Sequence, residues 1–368
     1  MNISIITFHN TSNFGATLQC LALYNYLTAH NQNVEIINYL PPYVLEKKKA
    51  DKELKKIAGS DNKVKALIKG LAYLAYANKI KRRDLCFEEF INQYLKLSRV
   101  FPDYSSLMDN PPKADLYICG SDQIWNPALT GSTLDKAFFL CFTDGIKVSY
   151  GASMGEYDIE TNAGELRKLI NDFQMLSVRE NSTAERLSRA IEKPVKTVLD
   201  CTLLLDKEDY YQYEKPVSAA TNPYLLYYSM QKSALADEEA KRVANDKGLK
   251  IIDISPNPLR KIKGSKKMLD IGPGEFLTLI KNAHFVVTNS FHGTVFSILY
   301  RKQFLCTLHS TRSGRVVDLL TSLDLTDRIV KDSRDNNIKE INYDTVYTSL
   351  QPLRSESYSY LNKVMASL

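Results

Sequence analysis

Short apolar runs recur along the chain, each followed by a polar turn and then by apolar residues every three or four positions. Ile3–Phe8 is the first run, ended by His9-Asn10-Thr11-Ser12-Asn13-Phe14-Gly15. From Ala16 to about His30 a helical spacing takes in Leu18, Leu21, Ala22, Asn25, Tyr26 and Ala29. Val34–Tyr39 then reads as a second strand, closed by Pro41-Pro42. Strand, turn, helix, strand is the opening of a doubly wound parallel sheet. Further strands are expected at Asp115–Cys119, Lys147–Tyr150, Gln174–Val178 and Thr197–Leu199, with Leu203–Tyr213 as a connecting helix. Lys215–Pro223, bearing Pro216 and Pro223, is the linker signal. Beyond it the pattern restarts. Expected strands at Tyr224–Tyr228, Lys250–Ile254, His284–Thr288 and Gln303–Thr307 alternate with expected helices at Ala234–Lys247, Gly274–Asn282 and Thr294–Arg301. Helices at Val316–Leu323 and Ser357–Met365 close the chain.

The pattern predicts an α/β protein of two Rossmann-like domains with parallel sheets, residues 1–214 and 215–368. The active site is expected in the cleft between them. Residues from about 45 to 97 read as a helical insertion in the first domain, with Leu67, Ile68, Leu71, Leu74 and Ala75 as its apolar stripe. The length of 368 residues suits two domains, and the 44% hydrophobic and 24% charged shares argue against disorder and coiled coil. The net charge of +6 is concentrated in this insertion. Between Glu46 and Arg83 there are 13 Lys/Arg against 4 Asp/Glu, a local +9 that leaves −3 for the rest.

Cys20, Cys86, Cys119, Cys141, Cys201 and Cys306 stand singly, with no C-x-x-C pair, and read as buried reduced thiols. The five histidines are not spaced with them for zinc, so no metal is expected. The first residues are apolar but lack a basic n-region, and read as a strand rather than a signal peptide. No apolar run approaches the ~18 residues that span a bilayer. A cytoplasmic location is the expectation.

Four segments lie where a parallel sheet presents its ligand edge. Asn13-Phe14-Gly15 follows the first strand, where a glycine lets backbone approach a ligand and helix N–H groups favour an anion. Gly120-Ser121-Asp122-Gln123-Ile124-Trp125-Asn126-Pro127 places polar groups beside the only tryptophan, a combination suited to a sugar's hydroxyls and apolar face. Asp122 is the candidate general base there; the alternative is a helix cap beside a core tryptophan. Ser177-Val178-Arg179-Glu180 ends a buried strand in an arginine, whose planar fork matches a carboxylate or phosphate. A structural ion pair is the alternative. In Thr288-Asn289-Ser290-Phe291-His292-Gly293-Thr294 a strand turns into a helix, and His292 falls where a helix N-terminus favours an anion. His9, His30, His284 and His309 have no such setting and read as structural. A P-loop, H-E-x-x-H, G-x-S-x-G and Asp-x-Asp motif are all absent.

Together with Ser149-Tyr150-Gly151-Ala152-Ser153-Met154-Gly155 and Asp200-Cys201-Thr202-Leu203-Leu204-Leu205, these four segments resemble the polysaccharide pyruvyl transferase family in its own order, across most of the chain. The resemblance implies two Rossmann-type lobes of the GT-B kind. It implies transfer of pyruvate from phosphoenolpyruvate onto two hydroxyls of a sugar in a surface-polysaccharide precursor, forming a cyclic ketal and releasing phosphate. No cofactor is implied, phosphoenolpyruvate being a co-substrate. His292 would act as acid, Arg179 as anion clamp and Asp122 as base. The donor would meet Arg179, Ser290, His292, Gly293 and Thr294. The acceptor would meet Asn13, Phe14, Gly15, Ser121, Asp122, Gln123, Trp125, Asn126 and Ser153. Several pyruvylating members have Arg-Leu-His where this chain has Ser290-Phe291-His292, and Asp-Pro where it has Asp200-Cys201. Another cation must then serve, drawn from Arg312, Arg315, Arg260 and Lys263. The family's acceptors include lipid-linked saccharides, and the basic helices 46–83 suit peripheral contact with an anionic membrane at its inner face. The lysine cluster lacks the interleaved aromatics of a nucleic-acid module, so none is expected. The competing readings are a GT-B glycosyltransferase using a nucleotide sugar, with Glu275 as its ribose-binding acid, and a non-catalytic saccharide-binding relative.

Overall fold

The strand-forming runs carry apolar residues on both faces: Ile3, Ile5 and Ile6, Leu116 to Cys119, and Tyr224 to Tyr228 are all buried. Strands of that kind belong in parallel sheets covered by helices. The structure, a computed structural model, describes residues 1–48, 63–218, 223–308, 313–332 and 339–366. Within it the chain forms two compact units, one of residues 1–45, 91–205 and 347–368, the other of residues 46–90 and 206–346.

The first unit is built on β1 (Asn2–Ile6), β2 (Asn33–Tyr39), β3 (Leu97–Phe101), β4 (Leu116–Cys119), β5 (Ile146–Ser149) and β6 (Phe173–Met175). All are parallel, in the order β3-β2-β1-β4-β5-β6. The second unit repeats that order. It comprises β9 (Tyr224–Tyr228), β10 (Lys250–Asp253), β11 (Lys266–Lys267), β12 (Phe285–Thr288), β13 (Phe304–Thr307) and β14 (Ile329–Val330). They are arranged β11-β10-β9-β12-β13-β14, again all parallel. These are the two α/β sheets the alternation predicts. In each, the winding reverses beside the first strand, and ligands favour that switch point at the strands' carboxyl ends. The flanking strands end in register there, Ile6 beside Cys119 and Thr288 beside Tyr228.

Several elements differ from expectation. The run 174–178 bends out of the main sheet after Met175, and β7 (Ser177–Val178) pairs instead with β8 (Lys196–Thr197). Leu203–Tyr213 is not one helix but two tight 3-10 turns, Cys201–Leu204 and Lys207–Tyr213. Helices at Ala163–Ile170 and Asn181–Ile191, and the edge strand β3, have no counterpart in the sequence reading. The final helix runs from Tyr343 to Ala366 with Pro352 inside it.

The units also divide differently from residues 1–214 and 215–368. Part of the helix Lys63–Tyr94 groups with the second sheet: the Phe90 and Tyr213 rings are 6.1 Å apart, and the Cβ of Cys86 packs against Gly272. The final helix returns to the first sheet. Arg354 donates to the carbonyls of Leu203 and Leu205 at 2.8 and 3.0 Å, and the Tyr360 hydroxyl to that of Ser149 at 2.8 Å.

Candidate functional site

In the first unit, the polar residues at the ends of β1 and β4 form a connected set. Gln19 donates to the Thr7 hydroxyl, and Thr7 to the Ser121 carbonyl, each at 2.9 Å. The chain leaves β4 through a cis Gly120–Ser121 peptide, and Gly120 has φ +118 with the Tyr150 carbonyl oxygen 2.2 Å from where a Cβ would sit. Only glycine fits such a place. Asp122 follows with φ +70, its Oδ1 accepting from the Gln123 amide at 2.8 Å.

Arg179 joins this set from the end of β7. Its Nη1 donates to Asp200 Oδ2 at 2.5 Å and its Nη2 to Asp122 Oδ1 at 3.3 Å. Burial alone would lower the guanidinium pKa, but Asp200, Asp122 and Glu180 hold it above its ordinary value. Asp200 also receives the Thr202 amide and hydroxyl on Oδ1, at 3.0 and 2.6 Å. Arg179 as an anion clamp is therefore corrected. Two carboxylates on one buried guanidinium leave the trio with net negative formal charge, which repels a phosphate or carboxylate. The arrangement suits holding Asp122 in place.

The expected acceptor residues separate into two groups. Trp125 is fully buried, stacked on Phe139 at 5.1 Å with Nε1 donating to the Phe138 carbonyl at 3.0 Å. It is a core residue and offers no plate to a sugar. Phe14 and Gly15 are likewise buried in the helix Phe14–Ala29, and half-buried Asn13 caps it by accepting the Gly15 amide at 3.0 Å. Ser121 is buried, donating to the Gly151 carbonyl at 3.1 Å, and Ser153 donates to Glu180 Oε1 at 2.6 Å. Gln123 and Asn126, themselves buried, gather toward Gly155, whose Cβ position lies 2.9 Å from Gln123 Nε2 and 2.5 Å from Asn126 Nδ2, while Asp122 faces Arg179. These three belong to the polar cluster of the first unit, which Asp200 and Glu180, known from the sequence only as motif residues, join through Arg179 and Ser153.

In the second unit the helix after β12 begins at Phe291, three residues earlier than expected. Ser290 is its N-cap, accepting the Gly293 amide at 3.3 Å, and this puts His292 in the first turn. Gly293 is required by close approach: a Cβ there would lie 2.3 Å from Thr288 Oγ1 and 3.1 Å from the Tyr228 ring. Asn289 ties the turn to the loop after β9, accepting from the Met230 amide at 2.7 Å and donating to the Gln231 carbonyl at 3.1 Å. Thr294 is buried and donates to the Ser290 carbonyl at 3.2 Å.

Of the cations expected near Ser290, Arg315 lies with its guanidinium 5.1 Å from the Phe291 ring centre. Arg260 pairs with Asp237 Oδ1 at 2.6 Å and donates to the Tyr227 hydroxyl at 2.7 Å, and its Nη1 reaches the Gln231 carbonyl, which Asn289 also holds, at 2.5 Å. Lys263 is exposed. Arg312 and His309 lie outside the described residues. A cation the sequence reading missed is Arg83. It is buried, and together with Ser290 it eases ionisation of the Tyr228 phenol, which burial pushes up to about 12. Glu275, the ribose-binding candidate of the competing reading, caps its own helix by accepting the Gly272 amide at 3.0 Å. Among the described residues, no group of three His, Cys, Asp or Glu is arranged to hold a metal ion.

The family model for polysaccharide pyruvyl transferases matches residues 13–311. The chain belongs to that family. The match spans all six of the motifs quoted above, from the Asn13 cap to the Ser290–Thr294 turn. Among curated proteins nothing matches. Similar solved structures include the UDP-GlcNAc 2-epimerase of Methanocaldococcus jannaschii, at 12% identity and TM-score 0.47, covering 95% of this chain and 92% of that one. A UDP-GlcNAc 2-epimerase from Neisseria meningitidis, bound to UDP-GlcNAc, gives 11% identity and TM-score 0.48, over 96% and 99%. The E. coli heptosyltransferase WaaC with ADP gives 10% identity and TM-score 0.40, over 97% and 99%.

Proposed function

We propose that this member of the family transfers pyruvate from phosphoenolpyruvate to two hydroxyls of a saccharide, forming a cyclic ketal. The observation that carries the reading is the Ser290–Thr294 turn, which caps a helix at the carboxyl ends of β9 and β12 and holds His292 in its first turn. A helix N-terminus of this kind stabilises an anion, and a histidine there can bind a phosphate oxygen and pass on a proton.

In the proposed reaction a proton adds to the methylene carbon of phosphoenolpyruvate, making a methyl group and oxocarbenium character at C2. One sugar hydroxyl adds to C2, the C2–O bond to phosphate breaks, and the second hydroxyl closes the ring. Of the two hydroxyl protons, one balances the methyl group and the other leaves with phosphate. His292 serves as acid and phosphate ligand in the second unit. In the first unit Asp122, held by Arg179, is the candidate group for a saccharide hydroxyl, with Gln123 and Asn126 near it in sequence. The enol phosphate is already activated, so the chemistry requires no metal.

Calorimetric titration separates this from nucleotide-sugar transfer. Phosphoenolpyruvate should bind while UDP- and ADP-sugars do not; the opposite preference would overturn the proposal. For the acceptor we propose a lipid-linked saccharide met at an anionic membrane surface. Leu74, Lys79, Lys81 and Arg82 of the helix Lys63–Tyr94 are all exposed, which supports peripheral contact. No helix among the described residues is long and apolar enough to cross a membrane. Failure to co-sediment with anionic vesicles at low salt would dispose of the membrane contact.

A further inference from the structure

Two loops leave the first sheet side by side at its carboxyl edge, 120–126 after β4 and 150–155 after β5. Asp122 bridges to Ala152, the Ser153 amide donates to the Asp122 carbonyl at 3.0 Å, and the Trp125 amide to the Ser153 carbonyl at 3.3 Å. The second loop then turns at Gly155, which has φ +63 and is half-buried, whereas Ala152, Ser153 and Met154 before it are buried. Two carboxamides converge on this glycine. A Cβ there would lie 2.5 Å from Asn126 Nδ2 and 2.9 Å from Gln123 Nε2, so any side chain would cover both. Glycine, which adopts this left-handed φ without strain, leaves their N–H groups facing the turn.

The direction of the Asn126 amide is fixed. Its Oδ1 accepts the Ala128 amide at 3.1 Å, so its Nδ2 is the atom turned to Gly155. Gln123 is 2% exposed, and among the described residues its Nε2 is buried with no hydrogen-bond partner. A buried donor without an acceptor costs stability, and native proteins keep few of them. Here two donors face one place, next to Asp122, whose Oδ1 receives the Gln123 main-chain amide at 2.8 Å. The group that complements them is an oxygen that accepts. A carboxylate is disfavoured, because Asp122 and Asp200 already outnumber Arg179 beside it. A hydroxyl accepts, but brings a proton that needs an acceptor of its own. A carbonyl oxygen has two lone pairs and no proton, so it takes both donors and leaves nothing unmatched.

We propose that Gln123 and Asn126 form a two-donor subsite for the carbonyl oxygen of an acylamino group on the acceptor. The proposal rests on the acceptor being a saccharide and is independent of the donor. An acylamino substituent is the neutral group that gives a sugar such a carbonyl. The subsite sets specificity and takes no part in bond making. A site built around hydrogen bonds rejects the analogue that lacks the matching group, because its own buried polar atoms then stay unpaired.

The test is a ligand-observed NMR titration of wild type, Gln123→Met and Asn126→Asp, without phosphoenolpyruvate. The probes are the methyl glycosides of N-acetylgalactosamine and N-acetylmannosamine, each beside its galactose or mannose counterpart. Wild type should bind the acetylated member of at least one pair about tenfold more tightly, the worth of two neutral hydrogen bonds. Both variants should bind the members of that pair alike. Asn126→Asp keeps the acceptor for the Ala128 amide and removes the donor. Gln123→Met should melt at or above wild type, because an apolar chain of similar length replaces an unmatched buried amide. A Gln123→Met protein that melts lower or fails to fold would show the carboxamide bonded within the fold, and overturns the subsite. So does a wild type that binds none of these sugars or binds the members of each pair alike, and so does a preference that survives in either variant. An acetyl preference lost in both variants, in a protein that never releases phosphate from phosphoenolpyruvate, would keep the subsite and sink the donor. Phosphate release without any acetyl preference would keep the donor and sink the subsite.

Discussion

Arg179 is a buried arginine whose role is set by its surroundings. Arg179 sits between Asp200 and Asp122, so removing one carboxylate leaves a charge poorly compensated inside the protein. Breaking such a pair costs about 3–5 kcal/mol, and the second aspartate moves the expectation to the low end of that range. Asp200→Ala should therefore lower the urea midpoint by an amount equivalent to roughly 3 kcal/mol, and an unchanged midpoint would contradict the pairing. Partnerships of this kind were not legible in the sequence. That Arg179 ends a strand is visible from the apolar run before it. That its partner is Asp200, 21 residues away, depends on how β7 leaves the main sheet. Trp125 misled for a related reason: its polar neighbours suggested a sugar-binding plate. The ring instead turns inward onto Phe139, a contact set by the loop that follows.

Elements were read more reliably than partners. The alternation of short buried strands with helices at 3–4 spacing fixed β1, β2, β4, β5, β9, β10, β12 and β13 to within a residue or two, because these strands are buried on both faces. Elements with weaker apolar signatures escaped, among them the half-exposed edge strand β3 and the helix Ala163–Ile170, of which only Leu166 and Ile170 are buried. The strand-to-helix turn after β12 was legible as a motif, yet the helix starts earlier than its spacing suggested because Ser290 caps it. Gly293 is the residue on which this element depends. Placing a methyl group against Thr288 and Tyr228 should destabilise Gly293→Ala by about 1–3 kcal/mol and impair donor binding together with it. A variant with wild-type stability would show that the turn can open. The basic helix Lys63–Tyr94 was read from its charge as solvent- or membrane-facing. Charge pattern alone does not reveal which cation is turned inward, and among the described residues of this helix Arg83 is.

For the whole molecule, the two doubly wound sheets were legible but the linear division at residue 214 was not. Two helices carry chain across the boundary, and no local signal marks where a helix changes partners. Both units bury neutral acids. Burial pushes the Cys306 thiol and the Tyr26 and Tyr228 phenols up to about 12. Their folded values lie above the unfolded ones, so the neutral forms favour the native state. That stability is fully present below about pH 9 and is lost as pH rises through about 12. A fraction of the 22 tyrosines should then ionise only as far-ultraviolet circular dichroism is lost. Titration of all of them near pH 10 with the signal retained would contradict the burial.

The most direct measurement is phosphorus NMR of the purified protein with phosphoenolpyruvate and galactose- or mannose-type acceptors, free and lipid-linked. The phosphoenolpyruvate signal should fall as inorganic phosphate rises in equal amount, only when an acceptor is present, and His292→Ala should abolish the change. Phosphate release that needs no acceptor, or full activity in His292→Ala, would contradict the account.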